Sequence, residues 1–140
     1  MIQRIQSIYL LLASIVSSTL FFFPFATGTG GSGELFADGN LDLNDNVALL
    51  ILTIMTVVFS LSCIFLFKNR VLQMNVSKLI MLLILGLAGI ASYFLFTSDA
   101  DYTLHVGLFL PFLVVILLIM AYRGIKADES LVRSSDRIRD

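Results

Sequence analysis

Four long stretches of the chain, residues 5–26, 47–67, 79–96 and 104–122, contain no Asp, Glu, Lys or Arg. Each is about 18–22 residues long. A bilayer core of ~30 Å takes about 20 helical residues at ~1.5 Å each. Backbone amides in hydrocarbon must be satisfied within the segment, so the spacing predicts four transmembrane helices. Outer-membrane barrel strands alternate in polarity and are about half as long, which excludes that architecture. Of the 140 residues, 58% are hydrophobic and 14% charged. A soluble domain carries about 45–50% and about 25%. The apolar core of the first stretch exceeds the roughly 7–15 residues of a signal-peptide core, so it reads as a retained span.

Charge orients the bundle. All nine basic residues (Arg4, Lys68, Arg70, Lys78, Arg123, Lys126, Arg133, Arg137 and Arg139) fall in the N-terminus, the loop between spans two and three, and the C-terminal tail. The other two loops hold only acidic charges, among them Glu34, Asp38, Asp42, Asp45, Asp99 and Asp101. The positive-inside rule then predicts both termini in the cytoplasm. Tyr9, Tyr93, Tyr102 and Tyr122 stand near span ends, where amphipathic rings favour the headgroup level.

The expected fold is therefore an all-α integral membrane four-helix bundle over residues 1–122, followed by an amphipathic helical tail over 123–140. The first outer loop opens Gly-rich and contains Asp38-Gly39, a favoured hairpin turn pair. A short extracytoplasmic β-hairpin over residues 34–43, leaning Phe36 and Leu41 on the bundle, is the expectation there. Asn44 or Asp45 is the expected cap of span two, and Asn75 or Ser77 of span three. Pro24 is placed to end span one, and Pro111 to kink span four.

On the tail, Arg123, Lys126, Arg133 and Arg137 share one helical face, opposite Ala127, Leu131, Val132 and Ile138. Five basic against four acidic residues is too even for a polybasic lipid patch. The tail suits contact with its own inner loop or with a partner. Within the spans, Thr53, Thr56, Ser60 and Cys63 form one stripe, Ser14, Ser17 and Ser18 a second, and Gly86, Gly89 and Ser92 a third. Small residues allow close helix approach and hydroxyls bond across or back to their own helix, so these are candidate packing positions. The competing reading of the Thr53–Thr56–Ser60 stripe is a hydroxyl-lined path for a solute. It lacks the mid-membrane Asp, Glu or His of proton relays and ion-coupled transporters.

Several chemistries are excluded as expectations. Cys63 is the sole cysteine and His105 the sole histidine, too few for a closed zinc site and too far apart along the bilayer for a nucleophile–base pair. Asp38, Asn40, Asp42 and Asn44 alternate like a calcium loop, but Leu43 stands at the glycine position and Leu49 at the bidentate glutamate position. No phosphate loop or nucleic-acid motif is present. No cofactor, no metal and no enzymatic activity are expected.

The opening MIQRIQSIYLLLA, residues 1–13, and the closing IKADESLVRSSDRIR, residues 125–139, resemble the ends of a Bacteroidetes family of small four-pass membrane proteins, domain of unknown function 4293. With the spacing of the spans, the resemblance covers the whole chain. It implies a bacterial inner membrane and carries over no catalytic residue. The expected role is a non-enzymatic accessory or scaffold subunit, held in the lipid bilayer with other membrane subunits or with copies of itself. A transporter or channel for a small neutral or lipophilic solute is the alternative.

Overall fold

A computed structural model describes residues 2–29, 38–98 and 101–139, with side chains for 5–28, 38–98 and 101–135. Among them are four long helices: α1 (Ile2–Thr19), α2 (Val47–Phe65), α3 (Arg70–Thr97) and α4 (Val106–Arg139). Three short strands accompany them: β1 (Ala26–Thr29), β2 (Asn40–Leu41) and β3 (Asp101–Leu104). The helices form a square in which α1 packs on α2 and α4, and α3 on α2 and α4. Neighbours run antiparallel. Gln6 near the start of α1 meets Asp128 near the end of α4, and Cys63 late in α2 meets Gln73 early in α3.

Each helix buries one seam with alternating steps of three and four residues. In α1 the seam is Gln6, Leu10, Ala13 and Ser17; in α2 it is Leu49, Thr53, Thr56, Ser60 and Cys63. In α3 it runs Gln73, Ser77, Ile80, Ile84, Leu87 and Ala91, and in α4 Val114, Leu118, Ala121, Ile125 and Asp128. A mean step of about 3.5 is the period of knobs-into-holes packing between helices crossing at about 20°. Gln6, Cys63, Gln73, Ser77 and Asp128 gather at one end of the seams. Along the rest, aliphatics and alanine share the interior with the small hydroxyl side chains of Ser17, Thr53, Thr56 and Ser60. Outside the seams, apolar side chains face outward, among them Ile8, Ile15, Ile51, Leu82, Phe112 and Ile116.

Three helices are long and apolar enough to cross a membrane: 47–68, 70–97 and 106–135. The first helix is shorter, apolar over Ile5–Thr19. It stops at Thr19, short of the expected position 26. The hydroxyls of Ser17, Ser18 and Thr19 bond back to the carbonyls of Ala13, Ser14 and Val16. The next amides tighten to three-residue bonds, Leu20 to Ser17 and Phe21 to Ser18. Pro24 has no N–H to continue the ladder, and the chain leaves as β1.

At that end the strands form an antiparallel sheet in the order β2-β1-β3. Ala26 pairs with Leu41 on one side and Leu104 on the other. The sheet closes the bundle from above, with Phe25, Ala26 and Leu41 fully buried beneath it. The expected hairpin over 34–43 falls partly outside the described residues, since 30–37 and Phe36 are among those not described. Its described arm, β2, pairs with the segment that follows α1, and the second outer loop adds β3. Gly39 takes a positive φ of 75° and its carbonyl accepts the Gly28 N–H at 2.9 Å, a backbone state that favours glycine.

The caps differ from those expected. Asn46 holds the start of α2, its Oδ1 accepting the Ala48 N–H at 2.8 Å. Asn69 holds the start of α3 in the same way through Leu72, at 3.1 Å. Asn75 and Ser77 instead lie within α3, which begins nine residues before the expected span at 79 because the polar stretch from Arg70 to Lys78 is itself helical. The tail continues α4 without a break, and Pro111 is accommodated inside that helix.

Candidate functional site

The stripe on α2 lies wholly inside the bundle. Thr53, Thr56, Ser60 and Cys63 have no solvent exposure. Thr53 and Thr56 donate to the Leu49 and Leu52 carbonyls one turn earlier, at 2.9 and 2.8 Å. Their hydroxyls are thus spent on their own helix. The Ser60 hydroxyl is buried and finds no hydrogen-bond partner among the described residues.

Gly86 and Gly89 stand elsewhere than expected. Nothing lies within 4 Å of where a Cβ would be at either position. They face outward on α3, whose inner face is Ile80, Ile84, Leu87 and Ala91. The close helix approaches fall on two other glycines. A Cβ on Gly107 would collide with the backbone carbonyl of Pro24 and stand 2.7 Å from that of Phe23. One on Gly124 would come within 2.8 Å of the Gln6 Cγ. Both join the α1 segment to α4.

Gly124 matters because of what its missing side chain admits. The Gln6 amide reaches past it and donates to the Asp128 carboxylate at 2.7 Å, with both residues buried. Arg70 donates from Nη1 to the Asp128 backbone carbonyl at 2.9 Å. One short stretch of α4 is thereby tied to both α1 and α3. Beside it, the Gln73 amide donates to the Cys63 carbonyl at 3.1 Å, and the Cys63 sulfur lies 3.6 Å from the Ser77 hydroxyl. Gln6, Arg70, Gln73 and Asp128 were not singled out from sequence. The signal available was positional: Gln6 continues the Leu10–Ala13–Ser17 spacing, and Asp128 continues Val114–Leu118–Ala121–Ile125.

Of the basic tail residues, Arg123 and Lys126 are exposed. Arg133 is exposed and pairs with Glu129 one turn earlier, at 3.6 Å. The Arg137 side chain lies outside the described residues. Leu131 and Val132, expected opposite the basic face, are also exposed, and the tail packs instead through Ile125 and Asp128. Lys78 sits 5.6 Å above the Tyr122 ring, a cation–π contact between α3 and α4. Between the α2–α3 turn and the tail opens a groove of about 520 Å³, lined by Phe67, Lys68, Asn69, Arg70, Val71, Glu129 and Val132.

At the opposite end, His105 is exposed and its Nε2 lies 2.9 Å from the Thr27 hydroxyl, which is 2.8 Å from that of Thr103. The Asp45 carboxylate accepts the Asp42 N–H at 2.6 Å. Partial burial, then the neighbouring Asp45 and Asp38 charges, raise the Asp42 pKa above its ordinary 3.8. Among the described residues no group of three His, Cys, Asp or Glu side chains is placed to hold a metal ion.

A square bundle of apolar helices, three of membrane-spanning length, with an apolar exterior and charged side chains at its ends, defines a small membrane-type helical protein. Residues 2–138 match the family "Domain of unknown function (DUF4293)", and the chain belongs to it. No curated protein and no solved structure matches the chain.

Proposed function

We propose that the protein is a multi-pass subunit of a bacterial inner membrane, with both termini cytoplasmic, and that it serves as a non-enzymatic accessory or scaffold element. The observation that carries the reading is the form of α4. This helix has 34 residues, about 51 Å, well beyond the ~30 Å of a hydrocarbon core. It is tied to α1 and α3 through Asp128 while Arg123, Lys126 and Arg133 remain exposed. A helix held at the bundle's end with Arg123, Lys126 and Arg133 on its exterior suits contact with another subunit or a second copy. The outward apolar side chains support membrane embedding, since a water-soluble monomer rarely exposes so continuous an apolar surface.

The distribution of basic residues supports the orientation. The end holding Gln6, the α2–α3 turn and the tail is also the end where the chain places its Lys and Arg residues. The alternative, passage of a small neutral solute along Thr53, Thr56 and Ser60, gains no support from the Thr53 and Thr56 hydroxyls, which are bonded within α2.

Gentle solubilisation followed by native mass spectrometry and co-purification tests the proposal. A stoichiometric partner or a defined oligomer, lost on removal of residues 123–140, is expected. A full-length chain that remains a lone monomer would overturn it.

A further inference from the structure

The groove between the α2–α3 turn and the tail combines two kinds of wall. Phe67, Val71 and Val132 are apolar and exposed, at 53%, 52% and 46%. Lys68 and Arg70 are cationic, and no described carboxylate lies within 4 Å of either. Asn69 and Glu129 complete it, and the Glu129 charge is offset by Arg133 at 3.6 Å. Arg70 is held in place by its bond to the Asp128 carbonyl, which uses one of its five donors. The groove also sits at a particular level. Exposed Phe65 and Leu72 continue the apolar exterior up to it, and Lys68 and Arg70 begin where that exterior ends. Its volume lies in the roughly 300–1,000 Å³ range of small-ligand sites.

We propose that this groove binds the headgroup of an anionic glycerophospholipid, with Lys68 and Arg70 on the phosphate and Phe67, Val71 and Val132 against the start of the acyl chains. The proposal rests on the membrane reading above. It differs from a polybasic patch, which needs about 4–8 clustered cations and attracts lipid without a shaped site. Here two cations on one wall of a cleft give a single position. The bound lipid bridges the α2–α3 turn to the tail and reinforces the Arg70–Asp128 tie.

The test uses the full chain reconstituted in bilayers of equimolar phosphatidylglycerol and phosphatidylcholine, then released and weighed by native mass spectrometry. Retention of one phosphatidylglycerol in preference to phosphatidylcholine is expected. Lys68→Gln should lower that retention roughly fivefold, and Lys68→Gln with Arg70→Gln further. Lys68 is exposed with no described bond, so its variant tests the site even if Arg70→Gln perturbs the fold. Glu129→Gln should raise retention by removing the one opposing charge. Equal retention of both lipids, unchanged retention in Lys68→Gln, or full displacement of lipid by inorganic phosphate or by a co-purified protein would overturn the proposal. Alkaline extraction of membranes separates the two failures. A chain that washes off defeats the membrane reading, whereas one that stays but shows no headgroup preference defeats the groove alone.

Discussion

Gly107 and Gly89 make the sharpest contrast between single positions. Both are helical glycines within apolar stretches, Gly107 in the first turn of α4 and Gly89 well inside α3. Gly107 meets the Phe23–Pro24 backbone, which cannot move aside as a flexible side chain would. Gly107→Ala should cost about 1–3 kcal/mol, the usual range for overpacking. Gly89→Ala has open space and should be neutral or stabilising by up to about 1 kcal/mol, since alanine is the better helix former. Unfolding midpoints of the purified variants in one detergent would compare them. Asp42 offers a pH-dependent counterpart at the acidic end. Its raised pKa means the folded state holds the proton more tightly than the unfolded chain. The resulting stability is fully present below 3.8 and is lost as pH rises through the raised value. Asp42→Asn should remove that component, flattening the acid side of a Tm–pH profile and leaving a slightly higher Tm at neutral pH.

For the helices as units, capping decides where they begin. Asn69→Ala should destabilise by about 1 kcal/mol through loss of the Leu72 bond, while Asn75→Ala, exposed within α3, should change stability by no more than about 0.5 kcal/mol. Chemical unfolding of the two variants checks the pair. The four apolar segments and the continuous tail helix were legible because lack of charge over a bilayer's thickness is a strong signal. Which face of each helix turns inward was only partly legible. In a water-soluble helix the polar side reveals the outside, but here the inward and outward faces are both apolar. The Thr53–Cys63 stripe stood out because hydroxyls are conspicuous among leucines. On α3 Ile80, Ile84 and Leu87 lie inside, while Gly86 and Gly89 lie outside beside Leu82 and Leu85, which composition alone does not reveal. Of the strands, β2 falls within the stretch where a hairpin is expected, whereas β1 and β3 are not foreseen: each has four residues, and β1 continues the small and apolar residues that end the first span.

For the molecule as a whole, charge asymmetry and helix packing make the same division. The described turn, tail and first helix meet at one end, and the strands at the other. Reporter fusions or cysteine labelling should place position 42 in the extracytoplasmic space and the chain's C-terminus in the cytoplasm. Finding both in one compartment would refute the proposed orientation. The candidate site at the basic end was legible only as a group of charges, because its making depends on Gln6 and Asp128, 122 positions apart, meeting across a glycine.

The sheet that gathers the segments after α1, before α2 and before α4 has a mechanical consequence. Main-chain bonds lace the segments beside α1, α2 and α4 together there, whereas at the opposite mouth the α2–α3 turn is the main-chain link and α1 and α4 are fastened by side chains around Asp128. A bundle built this way behaves like tongs with a fixed pivot. Shape change is cheapest at the mouth, so a ligand or neighbour gripping the tail acts on the jaw that is free to open.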